Sequence, residues 1–322
     1  MRLRGRAIEC LSRATAYRPN PAVRVAAVEA LESVLTGPPS LATPTCLPRI
    51  RAALLDEHPA VRFAGCVALG MVEDHVAEAA LRERLTDDDA SVQVAALFAM
   101  HRLGHTEQTG RMADYLLDHE DAAVRRNAAM VLGRLRAPGV VKLLARAMRD
   151  PDAGVRYHAL EGMACHGNTE ARQQLTFMAN SGVGSEEANA LLALGRARDA
   201  VCADIFRYKL ATAQHLETRL AAVCGLGRLG VKEGSQLAVG ALSFDKPRRS
   251  EPNDPPAAQM LRVRLLAATA AGATGDPAAL RPLRDMLEHN TDPRLQVAAA
   301  RAILEIIAAD LRARSPLAAS AG

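Results

Sequence analysis

The sequence contains no tryptophan, and its five phenylalanines and four tyrosines amount to 3 % of 322 residues. So few rings exclude a large interior built on aromatic bulk. Ala, Leu and Val take that place, a composition suited to closely packed helices. No run of about 18 apolar residues occurs, so no membrane-spanning helix is predicted. The six cysteines (Cys10, Cys46, Cys66, Cys165, Cys202 and Cys224) form no CxxC pair. Cys66 and Cys224 fall in apolar stretches and read as reduced, buried thiols of a cytoplasmic protein rather than a disulfide framework. The net charge of +4 is mild and gives no reason to expect nucleic acid or a membrane surface as partner. A GxSxG elbow, a P-loop and a dinucleotide fingerprint are all missing, as is the alternation of a strand.

What the sequence does contain is a repeat. A short phrase recurs as Pro21-Ala22-Val23-Arg24, Pro59-Ala60-Val61-Arg62, Ala90-Ser91-Val92-Gln93, Ala122-Ala123-Val124-Arg125 and Ala153-Gly154-Val155-Arg156. Weaker copies follow at Thr218-Arg219, Val263-Arg264 and Leu295-Gln296, with a degenerate one near Glu186. The anchors are therefore positions 23, 61, 92, 124, 155, 186, 218, 263 and 295, and six of the eight gaps are 31 or 32 residues. Four residues past the anchors stand eight alanines and Gly65, and eight past them every residue is apolar. Offsets of four and eight share one helix face, and a small residue midway lets a second helix come close.

A second amphipathic segment precedes each anchor, for example Val76 to Leu85, Val140 to Met148, Ala200 to Leu210 and Ala278 to Leu287. Turn residues such as Asp87-Asp88-Asp89, Asp150-Pro151-Asp152 and Asp292-Pro293 separate the two and supply helix N-caps. Gly70, Gly133, Gly195, Gly227 and Gly272 follow the second segments and read as C-caps. The unit is thus helix A, turn, helix B, loop. The expectation is a right-handed all-α solenoid of about nine helix pairs over residues 1–314, with loop insertions near 36–46 and 244–258 and a flexible tail at 315–322. The Arg-rich stretch from Met1 to Ala16 lacks a secretory core and reads as the first helix of the first repeat.

The period and the D-P-x-V-R-x-x-A-x-x-A-L-G phrase, seen best at Asp150 to Met163, Asp121 to Gly133 and His58 to Gly70, resemble the short HEAT-like repeat of phycobilisome lyases. The resemblance covers nearly the whole chain and implies an architecture. Its members include bilin lyases, a di-iron hydroxylase, DNA-repair solenoids and scaffolds, so it does not choose a function. That hydroxylase carries His-Glu pairs on helices, whereas the single His119-Glu120 here falls in a turn.

Two sets of residues are candidates for interactions. Arg24, Arg62, Arg125, Arg156, Arg219 and Arg264 each follow an anchor by one residue, as a ladder that pairs with the turn acids Asp56, Asp87, Asp118 and Asp150. Offsets two and six should point into a concave groove, which would then be rich in apolar residues: Phe63, Val67, Val94, Phe98, Met130, Tyr157 and Leu192. A solvated groove should be more polar and a nucleic-acid groove more basic. Burial between neighbouring B helices is the competing explanation. The histidine pair His101 and His105 and the Cys165-His166 dipeptide lack a third ligand, so no metal or cofactor is expected. An arginine-rich face on the A helices, with Arg82, Arg84, Arg146, Arg149, Arg281 and Arg284, is interleaved with acids such as Glu83 and Asp285 and reads as solvated. The functional expectation is a non-enzymatic scaffold that holds a protein or peptide in its groove. The alternatives are a lyase-like or chaperone role on a chromophore-bearing protein and a nucleic-acid-binding solenoid.

Overall fold

The computed structural model describes residues 2–247 and 254–314, which are helical with no strand among them. The anchored B helices are α2 (Pro21–Leu35), α4 (Pro59–Met71), α6 (Ala90–Arg102), α8 (Ala122–Arg134), α10 (Ala153–Cys165), α12 (Ser185–Ala197), α14 (Leu216–Arg228), α16 (Pro256–Thr274) and α18 (Pro293–Ala313). Between them lie the A helices α3 (Cys46–Ala52), α5 (Glu78–Glu83), α7 (Arg111–Leu117), α9 (Val140–Ala147), α11 (Thr169–Ser181), α13 (Ala203–Thr212), α15 (Ser235–Ala241) and α17 (Leu280–His289), all but α11 shorter than the B helices. Several A segments open with a single 3-10 turn, such as His75–Ala77 and Ala200–Cys202, so their α-helical parts start later than the apolar pattern does.

The anchored face is buried as its periodicity demands. Val23, Val61, Val92 and Val155 are wholly inaccessible, as are Ala27, Ala96, Ala128 and Ala159 four residues on. At Gly65 an added Cβ would meet Ala53 Cβ at 3.1 Å, so the A–B seam there leaves little room for a side chain. The turns use two acids for two tasks. Asp87 and Asp150 accept from the amides of Asp89 (3.1 Å) and Asp152 (2.8 Å) and close the turn. Asp89 and Asp152 then cap the B helix, accepting from Ser91 N (2.9 Å) and Val155 N (3.0 Å).

The glycines expected as C-caps have another role. Gly70 and Gly133 lie inside α4 and α8, at points where the next B helix comes to backbone distance. A Cβ on Gly70 would stand 2.7 Å from Ala99 Cα, and one on Gly133 would stand 2.8 Å from Gly162 Cα. Gly104, Gly139, Gly167, Gly230 and Gly275, further along the loops, have the positive φ of chain reversal instead.

Where one continuous array over 1–314 is expected, the contacts divide the chain into two compact units. The first comprises residues 15–36 and 43–174, in which α2, α4, α6, α8 and α10 pack in succession. The second comprises, of the described residues, 2–14, 37–42, 175–247 and 254–314, in which α12, α14, α16 and α18 do the same. The N-terminal helix α1 (Arg2–Ala14) also belongs to the second unit rather than pairing with α2 as a first repeat. It buries Ala7, Ile8 and Leu11 and packs on α18, while Arg6 bonds Glu288 of α17. The first insertion contains a 3-10 turn at Pro39–Leu41. The second begins without regular structure at Phe244 and is shorter than expected, because α16 already starts at Pro256; part of it, and all of the predicted tail, lie outside the described residues.

The close approach of α8 and α10 is testable. Gly133→Val should lower stability by about 1–3 kcal/mol, the usual cost of overpacking, read as a reduced urea midpoint with the helical circular-dichroism spectrum retained. An unchanged midpoint would show that the two helices do not meet at Gly133.

Candidate functional site

The arginine ladder forms, and it connects repeats. Arg125 donates through Nε and Nη2 to both oxygens of Asp150 (2.7 and 3.0 Å), which lies in the turn of the following repeat. Its Nη1 donates to the carbonyls of His119 (2.8 Å) and Glu120 (2.9 Å) in its own turn. Arg24 holds Asp56 and the Tyr17 and Arg18 carbonyls in the same way. Arg62 holds Asp87, Asp88 and the Asp56 and Glu57 carbonyls. Each planar fork thus ties one A–B turn to the next. Arg156 donates to the carbonyls of Asp150 and Pro151, Arg219 to that of Leu210, and Arg264 to that of Phe244. Asp118 does not receive a ladder arginine; the preceding slot holds Gln93, which donates to Asp87 O and accepts from Tyr115.

In the sixth B helix the ladder is inverted. Glu187 occupies the arginine slot, is buried, and accepts from Lys209 Nζ (2.6 Å) of α13 and Thr218 Oγ1 (2.9 Å) of α14. Thr218 is the next anchor, so its hydroxyl, like Lys209, answers the exchanged charge.

The proposed groove residues separate into three groups. Val94 and Phe98 are wholly buried, so they belong to the core and offer nothing to a partner. The reason is the glycine contact: a Cβ on Gly70 would lie 3.2 Å from Phe98 Cε1, so the absence of one is what admits the ring between α4 and α6. Tyr157, set edge-on to the His158 ring, and Leu192 are half-buried and stand outside the cleft lined by the remaining three. Phe63, Val67 and Met130 do converge. With Val25 and Ala64 they form the apolar side of a cleft of about 290 Å³ in the first unit.

Helices α2, α4 and α8 and the start of α6 frame this cleft, and its other side is polar. Glu29 and Glu32 extend from α2, and Asn127 and Arg134 from α8. Arg134 reaches Glu32 at 3.8 Å, so the first and fourth B helices come within side-chain range across the concave side. Asn127 Nδ2 donates to Ser91 Oγ (3.0 Å), a second tie, between α8 and α6. Glu29 is exposed and its carboxylate has no partner among the described residues. The result is a side-chain-sized pocket with an apolar wall and a mainly acidic rim, rather than a long open channel.

The histidine pair does not converge. His101 Nδ1 faces Thr109 Oγ1 (2.7 Å), whereas His105 Nε2 faces Glu78 (3.0 Å). His119-Glu120 lies in the turn between α7 and α8. Among the described residues, no group of three or more His, Cys, Asp or Glu side chains could hold a metal ion. Burial pushes the Cys66 and Cys224 thiols up, which disfavours the thiolate. On the A helices, Arg82 pairs with Glu78 (2.9 Å) and Arg84 with Asp87 (3.2 Å), so part of the arginine face is internally neutralised. No helix among the described residues is long and apolar enough to cross a membrane.

Stacked A–B pairs, glycine-tight B helices and a ladder of arginines define an α-solenoid repeat protein. The chain belongs to the HEAT repeats family, whose profile matches residues 3–101 and 111–195, more than half of its length. No curated protein matches the sequence. Among solved structures the chain is similar to the complex of CpcE and CpcF of phycocyanin lyase from Nostoc sp. PCC7120, at 16 % identity over 82 % of this chain and 94 % of that one, with a TM-score of 0.44. It is also similar to human deoxyhypusine hydroxylase in complex with glycerol, at 16 % identity over 93 % and 96 %, with a TM-score of 0.38. A Kap121p mutant matches at 14 % identity over 98 % of this chain and 39 % of that one, with a TM-score of 0.34.

The ladder makes a pH prediction. The Arg125 hydrogen bond holds Asp150 below the ordinary carboxylate range. Burial alone would raise Asp87, but hydrogen bonds from Arg62 and the Asp89 amide bring it below that range too. A carboxylate depressed in the folded state binds its proton more readily when unfolded, so its stabilisation is present above the unfolded value and lost as pH falls through the folded one. The melting temperature should therefore hold from neutrality to about pH 5 and decline below about pH 4. Asp150→Asn should lower the neutral melting temperature and flatten that acid decline. An equally steep decline in this variant would remove Asp150 from the explanation.

Proposed function

We propose that this protein is a non-enzymatic interaction module, and that it holds a protein or peptide partner by inserting one of the partner's apolar side chains into the cleft between α2, α4 and α8. The observation that carries this reading is the convergence of Phe63, Val67 and Met130 on a cleft of about 290 Å³ beside polar groups that can fix orientation. Such a volume suits one large side chain rather than a whole amphipathic helix, so the partner engages through a short segment. The scaffold is suited to presenting it, because the cleft residues stand on helices fixed by the arginine ladder.

The test is affinity capture by the immobilised chain, with retained proteins identified by mass spectrometry. Phe63→Asp and Met130→Asp should each reduce retention of the same partner at least about tenfold, a loss typical of a central interface residue, without loss of helical signal. Phe98→Ala should behave differently: as a core truncation it should cost about 3–5 kcal/mol of stability. Capture that is indifferent to both cleft variants would overturn the proposal.

A further inference from the structure

We infer that the segment received by the cleft is basic: an apolar side chain with a lysine or arginine within two residues of it. This inference rests on the reading of the cleft as a peptide site and adds the chemistry of the occupant. Three carboxylates, Glu29, Glu32 and Asp89, border the cleft against one guanidinium, Arg134. Their remaining capacity is unequal. Arg134 stands 3.8 Å from Glu32, so the sole arginine of the rim is already directed at an acid. Asp89 accepts from Ser91 N and Val92 N as the cap of α6. Glu29 is the carboxylate left over: exposed, at the mouth, and without a side-chain partner among the described residues. It sits on α2 one turn beyond Val25, which lines the apolar wall, so a ligand side chain against that wall brings its neighbours to Glu29.

An acidic peptide would meet Glu29 in repulsion, with Arg134, already directed at Glu32, the sole arginine of the lining, whereas a lysine or arginine beside the inserted side chain complements the three carboxylates of the rim. The apolar wall rejects a purely polar cationic peptide, because Phe63 and Met130 would then gain nothing from contact.

The experiment is selection of a phage-displayed random dodecamer library on the immobilised full chain, followed by fluorescence anisotropy with the selected peptides. The expected winners carry Leu, Ile, Met or Phe with Lys or Arg within two positions. Their affinity should fall about tenfold on Glu29→Lys, which juxtaposes like charges, and much less on Glu29→Asp; it should also weaken as salt rises. Because Glu29 is exposed, Glu29→Lys should keep the wild-type melting temperature, which is measured alongside. Peptides that lose binding on Phe63→Asp or Met130→Asp, yet show no basic preference and ignore Glu29→Lys, would overturn this inference and leave the proposed function standing. No enrichment, or peptides indifferent to both cleft variants, would overturn the two together.

Discussion

The structure depends on how closely one B helix can lie against the next. At Gly133 and Gly162 the separation is set by backbone, because neither residue has a Cβ. At Gly70 and Ala99 it is set by a single methyl group. Close spacing on the B side lets the stack of the first unit bend towards its B helices. In the first unit this bend brings Arg134 of α8 within 3.8 Å of Glu32 of α2. The cleft is a consequence of that curvature: its wall and rim come from helices three repeats apart in sequence, which a straighter stack would hold apart.

Packing alone leaves the angle between repeats free to drift, since small residues give little directional preference. The arginine forks supply the direction. Arg24, Arg62 and Arg125 each couple a carboxylate in the following turn to carbonyls in their own, so rotating one of these repeats against the next breaks two or more charge-assisted bonds at once. The exchange at Glu187 shows that the requirement is for a buried, fully partnered charge rather than for arginine as such. Lys209 and Thr218 satisfy both carboxylate oxygens there, and removing either would leave a buried acid short of a partner. The interactions are local, from repeat to neighbouring repeat, as expected of a quasi-one-dimensional fold.

Most of this architecture was legible in the sequence because it is periodic. The anchor, the alanine four residues on and the apolar residue eight on are determined by one helical face, and Val61, Gly65 and Leu69 are buried as that face requires. The ladder was legible for the same reason, as Arg and Asp recur at fixed offsets. The glycines were misread: Gly133 stands near the end of α8, where a C-cap would also stand, and its contact with Gly162 is between helices, not along one. Phe98 and Val94 have the helical phase of the groove, yet both are wholly buried, Phe98 against Gly70. Helical phase gives the direction of a side chain, not whether a neighbouring helix already fills it. The pairing of Glu32 with Arg134 had no sequence signal at all, because the two stand nine and ten residues past anchors 23 and 124 and meet only through curvature.

Curvature also decides between a channel and a pocket. Seven apolar residues at two offsets suggest a continuous strip from Phe63 to Leu192, and a straight stack would present it as one. Phe98 is buried against Gly70, Val94 is buried as well, and α8 comes within reach of α2 through Arg134 and Glu32, so the strip is interrupted. What remains accessible is an apolar recess of one side chain's size with charged groups at its mouth. A recess of that kind gains specificity from the residues flanking the inserted one, since a single hydrophobic insertion discriminates poorly between ligands. The unequal engagement of Glu29, Glu32 and Asp89 is therefore the feature of this surface best placed to select among partners that share the same apolar anchor.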